Sequence, residues 1–415
     1  MTSSGSLSDI RIVDLTQMLS GPYATMMLAD HGADVVKIEA PEGDMVRAVG
    51  PYRAGDERKI LGGYFQSINR NKHSVCLDLK KPEGRAALLK MVANADAVVE
   101  NYRVGVMERF GLGYEVLRGA NPRLVYACLR GFGDKRTGAS PYGTWPAYDV
   151  VAQAMGGIMA ITGPDGATPM KIGPGVGDIV PGMMLAFGIL AAVHHARRTG
   201  VGQLVDIAMV DAVLALCERT VYQHSVQGLT PGPEGNHHPF LVPFGIYPAR
   251  DGCVTLGAHQ QSFFEVLCKA LGCEDILSDA RYASPERRVE NRMALIEALS
   301  AHTVRYTKAE LTTRLGGTIP YGPVMNIADI VRDPHYAVRE MIVSVEQPGD
   351  EPIQIVGVPI KMTGTPGGVH RRAPLLGEDT RTRLCEAGLS EDEIDELLEK
   401  RAAFAGKEEQ QIISE

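Results

Sequence analysis

The stretch Gly173-Pro174-Gly175-Val176-Gly177-Asp178-Ile179-Val180-Pro181-Gly182 delivers one carboxylate, Asp178, on a glycine-rich turn that opens an apolar run. Ile179 to Val193 is almost wholly apolar and closes with His194, His195, Arg197, Arg198 and Gly200, the pattern of a buried helix with a cationic last turn and a glycine stop. At the positive end of that helix dipole a carboxylate is stabilised in its ionised form and its pKa is expected to fall. The glycines before it leave space for a large molecule to approach. These residue types suit an anionic nucleophile; they also suit an N-cap, whose carboxylate only accepts a backbone hydrogen bond.

A second set is basic and amide in character: Lys80 and Lys81 after one apolar run, Asn101, Tyr102 and Arg103 after the next, and Arg109 beyond. Parallel strands point their C-terminal ends to one rim, so Lys80, Asn101, Tyr102 and Arg109 would converge there on a phosphate-bearing ligand. The competing reading is that Lys80-Lys81 is a solvated corner.

The elements that would position these residues follow from the apolar patterning. Residues 10 to 39 read strand, helix, strand, with Gly21-Pro22 opening the helix, Gly32 ending it and Asp34 to Glu39 as the second strand. A similar unit follows, with a strand at Ser74 to Leu79, a helix at Pro82 to Ala93, a strand at Ala97 to Glu100 and another at Leu124 to Leu129. Beyond Asp178 come a strand at Leu204 to Met209 and a helix at Ala212 to Val226. This alternation implies an α/β fold with an open parallel sheet covered by helices on both faces. The first turn, Thr16 to Pro22, lacks Gly-x-Gly-x-x-Gly, and no Gly-x4-Gly-Lys-Ser/Thr occurs, so neither a dinucleotide nor ATP is indicated.

The crowding of Pro231, Pro233, Pro239 and Pro243 among Gly and His residues marks a boundary after residue 227. A hairpin over Tyr247 to Leu256 and helices at Ser262 to Leu271, Arg288 to Ala301 and Lys308 to Leu315 then make a smaller α+β domain over 228–335. Short strands near Ile342 and Ile353 and a charged helix at Glu391 to Lys400 follow, and Gly406 to Glu415 looks frayed.

With 415 residues, 45% hydrophobic and 22% charged, the chain has the composition of a globular protein with a sizeable core. A formal charge of −8 argues against nucleic acid as a partner. The seven scattered cysteines suggest neither a disulfide framework nor a metal site. Met1 to Ser8 has no signal or transit pattern, and the Ile179 to Val193 run is short of the roughly 20 residues of a membrane span, so a cytoplasmic protein off the membrane is expected.

Several ordered motifs give the chain a resemblance: Asp14-Leu15-Thr16 with Gly21-Pro22; Leu28-Ala29-Asp30 with Gly32 to Glu39; Gly43-Asp44-Met45-Val46-Arg47; Asn69-Arg70-Asn71-Lys72; Val99-Glu100-Asn101-Tyr102; Gly177-Asp178; Gly200 to Gln203; and Tyr321-Gly322-Pro323-Val324. From about Ile10 to Gly377 it resembles the class III CoA-transferase family, which includes formyl-CoA transferase and carnitine CoA-transferase. The resemblance implies a Rossmann-like large domain built from both chain ends, 1–227 and 336–415, with the smaller domain between. It also implies an interlocked homodimer and a coenzyme A thioester as substrate, with no permanently bound cofactor. The family's catalytic aspartate matches Asp178, and its CoA contacts match Leu77, Lys80, Asn101, Tyr102 and Arg109. An arginine and a lysine of the family's CoA site are Ala40 and Pro146 here. Gln17 and Leu19 stand where formyl-CoA transferase has His and Gln, which argues against formyl or oxalyl specificity.

The implied reaction moves CoA from a succinyl-CoA-like donor to a carboxylic acid, expected to be a dicarboxylic acid, through an aspartyl anhydride and an aspartyl-CoA thioester. Gln17 is a candidate oxyanion donor. Asn236 and His237, within Gly235 to His238, are candidates for a covering loop or a plain surface loop. Arg47 would bind the far carboxylate or pair with Asp44 at the surface. Tyr148-Asp149 bears on the alternatives: related α-methylacyl-CoA racemases carry His before this acidic position, and a phenol, with an ordinary pKa of about 10, is a poor base at neutral pH. A racemase is the second reading and a non-catalytic acyl-CoA binder the third.

Overall fold

The computed structural model describes residues 5–52, 59, 62–347 and 350–406; the N-terminal Met1 to Ser4 and most of the tail expected to fray, 407–415, lie outside them. The chain forms two compact units. The first takes Met1–Ile158, Ile172–Val221 and Ala337–Glu415, and the second Met159–Lys171 and Tyr222–Tyr336.

The first unit is organised by a seven-stranded sheet. β1 (Arg11–Asp14) lies between β2 (Asp34–Glu39) and β4 (Ala97–Glu100), parallel to both, with Asp14 opposite Lys37 and Val99. β3 (His73–Leu77) pairs with β2, β5 (Val125–Arg130) with β4, and β6 (Leu204–Ala208) with β5, all parallel. Strands β1 to β5 are buried almost throughout because helices cover the sheet on both faces. One such face packs Val13, Val36, Val75, Val98 and Tyr126 against Leu88, Met91 and Val92 of a helix that begins at Pro82. Strand order reverses direction between β1 and β4, so the turns after these two strands flank a topological switch point.

Three helices position the chemistry. α1 (Ser20–Asp30) begins against the first turn, where a Cβ on Gly21 would lie 2.4 Å from Thr16 Cβ. α2 (Gly63–Ile68) is short and follows the 3-10 turn Met45–Ala48. The long apolar helix, here α3 (Val176–Thr199), ends at Gly200, whose φ of +76° is the left-handed stop expected of glycine. By length and composition α3 would also span a membrane. Its buried stripe of Leu185, Ala186, Ile189, Ala192 and Val193, however, packs in this unit, against α1 among others.

Beneath the first turn lies a layer of buried charge. Lys37 Nζ donates to Thr16 O at 2.6 Å and to Asp44 at 3.0 Å, and Lys72 Nζ donates to Asp14 at 3.0 Å, Asn69 Oδ1 at 2.9 Å and Pro22 O at 2.9 Å. Asp14 also accepts from the Thr16 and Thr25 hydroxyls at 2.5 and 2.7 Å. Asp14, Lys37, Asp44 and Lys72 are all buried. Burial pushes the Asp14 carboxyl up, and the Lys72 and Lys37 ammonium groups outweigh it and hold it below its ordinary value. Burial takes Lys72 down to about 8.

The second unit is built on an antiparallel sheet of β7 (Phe244–Ala249), β8 (Gly252–Gly257) and β9 (Tyr321–Pro323), packed with helices including Gln261–Leu271, Arg292–Thr303 and Lys308–Leu315. Several details depart from the sequence expectations. The helix expected over 212–226 is two, Met209–Leu216 and Glu218–Gln227, parted at Cys217. The tail supplies a two-residue strand, β12 (Ala403–Phe404), antiparallel to the edge strand β3, after β10 (Ile342–Gln347) and β11 (Asp350–Val356) have paired as a hairpin.

Because removing one member of a buried pair strands the other charge, Lys72→Met is expected to cost about 3–5 kcal/mol of folding stability. The double variant Asp14→Asn/Lys72→Met should regain part of that loss in denaturant unfolding. A double variant no more stable than Lys72→Met alone would count against a coupled pair.

Candidate active site

The site residues gather at the C-terminal rim of the sheet, on either side of the switch point. The Asn101 side chain, just past β4, accepts the Gln17 N–H at 2.8 Å and donates to the Gln17 carbonyl at 2.7 Å, clamping the turn that follows β1. The next residue, Met18, holds a left-handed φ of +66°, and its N–H reaches Asp44 at 3.3 Å. With the backbone fixed from both sides, the half-buried Gln17 amide makes no side-chain hydrogen bond among the described residues.

α3 begins beside this turn. A Cβ on Gly175 would lie 3.2 Å from Leu19 Cδ2, and one on Gly177 would lie 2.7 Å from the Asp149 carbonyl and 3.0 Å from Ala152 Cβ, so the close packing requires glycine. Asp178 is the third residue of the helix and its side chain caps nothing; Gly175 stands at the N-cap position. The capping carboxylate is Asp149, which accepts the Gly177 N–H at 2.8 Å. Buried Gln153 holds it there, donating to its two oxygens at 3.1 and 2.9 Å while accepting the Ile172 N–H at 2.9 Å. Pro181 has no N–H to give the Gly177 carbonyl, which loosens the first turn around Asp178.

The electrostatics reverse one expectation. Burial, and then the neighbouring Asp149 charge, push the Asp178 carboxyl up to about 7. The helix dipole does not prevail, because Asp149 already answers it and because a half-buried carboxylate loses hydration. Asp149 is likewise an acceptor of three hydrogen bonds, which suits a positioning group and not an oxyanion donor.

The expected CoA contacts fare differently. Lys80 and Arg109 are exposed on the rim, Lys80 with its Nζ 3.8 Å from Glu42 and Arg109 at the end of the turn Val106–Arg109. Tyr102 is half-buried, its ring packed on the core and its N–H donated to Glu100 at 2.8 Å; burial, then Glu100, push its phenol above the ordinary range. Asn101 spends its amide on Gln17. Leu77 is fully enclosed in the core, at the end of β3 opposite Ala403.

Both readings of Arg47 are corrected as well. Its guanidinium is buried, pairs with Glu39 at 2.8 and 2.7 Å, donates to Pro374 O at 3.0 Å and stacks 3.7 Å from the centroid of Phe65. Asp44 belongs to Lys37 instead. Arg47 is thus a structural cation, and Glu39 is held near 2 as burial is outweighed by Arg47.

Tyr148 stands at the N-cap position of the helix Asp149–Met155 and is 61% exposed. In the second unit, Asn236 and His237 are not a detached loop. Asn236 O accepts the Ile246 N–H at 3.1 Å, His237 bridges Gly245 and stacks edge-on to Tyr247, and burial lowers the His237 ring below its ordinary pKa. Among the described residues no three His, Cys, Asp or Glu side chains group to hold a metal ion. Sequence reasoning missed Gln153, and it missed Tyr64 on α2, a half-buried phenol on which Asp178 acts; both are set by packing that no local motif announces.

Comparison with known proteins gives a consistent set of likenesses. The profile described as CoA-transferase family III matches residues 7–380. Succinyl-CoA:mesaconate CoA-transferase of Haloarcula hispanica is 49% identical over 93% of this chain and 97% of its own length. Succinate–glutarate CoA-transferase of Agrobacterium fabrum is 38% identical over 92% and 95%. A CAIB/BAIF family protein from Brucella suis has a crystal structure that superposes with a TM-score of 0.83 at 32% identity, covering 92% of this chain and 100% of that one.

Since the Asp178 pKa is raised from 3.8 to about 7 in the folded state, the folded chain holds an extra proton between those values and loses stability as pH rises through that window. Asp178→Asn should therefore raise the unfolding midpoint relative to wild type at pH 8 and change it little at pH 4. Asp149→Asn, which keeps an acceptor for Gly177, should move the Asp178 titration seen by carboxyl 13C NMR to lower pH. An unmoved midpoint in that variant would show that burial alone sets it.

Proposed function

The chain belongs to CoA-transferase family III, and from that premise we propose that Asp178 is its catalytic nucleophile in the transfer of CoA from a succinyl-type thioester to a dicarboxylic acid. The observation that carries this reading is the state of Asp178. A carboxylate with a pKa near 7 is still about half ionised at neutral pH and is more nucleophilic than an ordinary aspartate. It stands in the first turn of α3, which begins beside the turn after β1, and Gly173 ahead of that helix has open space where a side chain would be.

In the proposed cycle the Asp178 carboxylate attacks the donor's thioester carbonyl and CoA thiolate leaves, giving a mixed anhydride. The thiolate then adds to the aspartyl carbonyl and the donor acid departs, leaving an aspartyl-CoA thioester. The acceptor carboxylate attacks that thioester to form a second anhydride, and the thiolate returns to the acceptor's acyl carbon, restoring Asp178. No ATP is needed because each step exchanges one activated carboxyl for another. Gln17, with its amide unspent, is our candidate donor to the tetrahedral oxyanions, and Lys80 and Arg109 are our candidates for the CoA phosphates.

We further propose that the enzyme works as an interlocked homodimer. Support comes from an apolar face on α3 and the helices after β6, where Phe187 is 75% exposed and Met183, Leu214, Leu216 and Val221 are also exposed. Sedimentation equilibrium should give twice the chain mass of 44.7 kDa, and Phe187→Glu should shift it toward monomer. A wild-type monomer at micromolar concentration would reject the dimer.

Asp178→Ala is expected to lose more than about 3 kcal/mol of transition-state stabilisation, a fall beyond 100-fold in turnover of succinyl-CoA with dicarboxylic acids. Its affinity for CoA by calorimetry should persist. Near-normal turnover by this variant would remove Asp178 from the mechanism.

A further inference from the structure

The turn after β4 is held from below by a buried ion pair that has no part in the cycle above. Alternate residues share one face of a strand, so Val98 and Glu100 of β4 stand on the same side as Tyr126, Cys128 and Arg130 of β5, with Glu100 opposite Cys128. Apolar at one end and charged at the other, that face brings Glu100 and Arg130 together at the rim, both buried.

The Arg130 guanidinium pairs through one nitrogen with Glu100 and through another with Asp134. The Glu100 carboxylate accepts the Tyr126 hydroxyl at 3.1 Å and the Tyr102 N–H at 2.8 Å, while Arg130 Nε donates to the Tyr102 carbonyl at 3.4 Å. The two members of the pair thus hold both backbone groups of Tyr102, the acid its N–H and the base its C=O. Asn101 lies between Glu100 and Tyr102, and its side chain holds both backbone groups of Gln17 in the same manner, at 2.8 and 2.7 Å. A shift of the Tyr102 backbone therefore carries Asn101 with it, and with Asn101 the turn that bears the Gln17 amide. The network also runs outward, since Arg136 donates to Asp134 at 3.0 Å and to Glu108 at 2.7 Å. That outer link is partly exposed and screened, so it contributes little. The inner pair has lost its water and must keep its partners, which fixes its geometry.

We propose that Glu100 and Arg130 are positioning residues for the transfer: the pair sets the Tyr102 backbone and, through Asn101, places the Gln17 amide where the oxyanion forms. This inference rests on the transferase reading above, with Gln17 as the oxyanion donor. Both residues act through the backbone that follows β4, and neither contacts substrate.

Exchange of labelled succinate into succinyl-CoA by the full chain tests this in a double-mutant cycle of Gln17→Ala with Arg130→Lys. The lysine keeps a cation beside Glu100 and Asp134, so the fold survives, but it gives up the planar fork and its Nε bond to Tyr102. Turnover should fall about 10-fold or more in Gln17→Ala and about 5- to 10-fold in Arg130→Lys, with KM for succinate within about twofold of wild type. In the Gln17→Ala background, Arg130→Lys should change kcat by less than about twofold, because the group it places is gone. Glu100→Gln, which keeps an acceptor for the Tyr102 N–H, should show the same non-additivity. Losses that multiply in the double variant would overturn the proposal, since a merely structural defect does not depend on Gln17. Wild-type kcat in Arg130→Lys or in Gln17→Ala would overturn it too. Absence of any exchange by wild type would instead sink the transferase reading, and this proposal with it.

Discussion

Everything at the rim depends on the charges buried beneath it. Lys37 and Lys72 have no water to solvate them, so each must be met by carboxylates and carbonyls of fixed position, and those acceptors are the backbone and side chains of the first turn and its surroundings. Lys37 ties Thr16 O to Asp44, Asp44 reaches back to the Met18 N–H, and Asp14 receives Thr16. The shape of the turn is therefore a by-product of charge neutralisation. That constraint explains why Met18 accepts a left-handed backbone, a conformation that costs a non-glycine residue energy.

The same logic runs through Asp178. A helix start normally favours an ionised carboxylate, yet here the favour goes to Asp149, locked by Gln153 and the Gly177 N–H. Asp178 is left beside a fixed negative charge with part of its hydration removed, and its basicity rises. Folding thus spends stability to hold a reactive carboxylate, as strained or unfavourable groups at functional sites commonly do. In the proposed cycle, chemistry that swaps one activated carboxyl for another would gain from this arrangement, because raised basicity makes a carboxylate a better nucleophile.

How far the sequence alone could take a reader varied with how local the cause was. The strands Asp34–Glu39 and Ala97–Glu100 and the helices Pro82–Ala93 and Lys308–Leu315 were legible to the residue, since apolar period, proline starts and flanking glycines all lie within them. Asp178 was legible as a residue to watch, from its glycine turn. Its pKa direction was not, because burial by distant parts of the chain sets it first and a carboxylate on another helix adds to it. Lys37, inside a strand that also carries Asp34 and Glu39, reads as solvent-facing, and only a sheet covered on both faces makes it a buried cation. Arg47 was misread because the nearest acid in the chain, Asp44, is not its partner; Glu39 is. The excursion Met159–Lys171 and the two-residue strand Ala403–Phe404 were missed for want of length, as neither carries enough residues to show a period.

The central claim is that Asp178 itself becomes acylated during turnover. The most direct measurement is a hydroxylamine quench of the enzyme with succinyl-CoA in the steady state, followed by mass mapping of the peptide that contains this residue. A hydroxamate is expected at Asp178 and at no other carboxyl group. Recovery of Asp178 unmodified from enzyme that is turning over would contradict it.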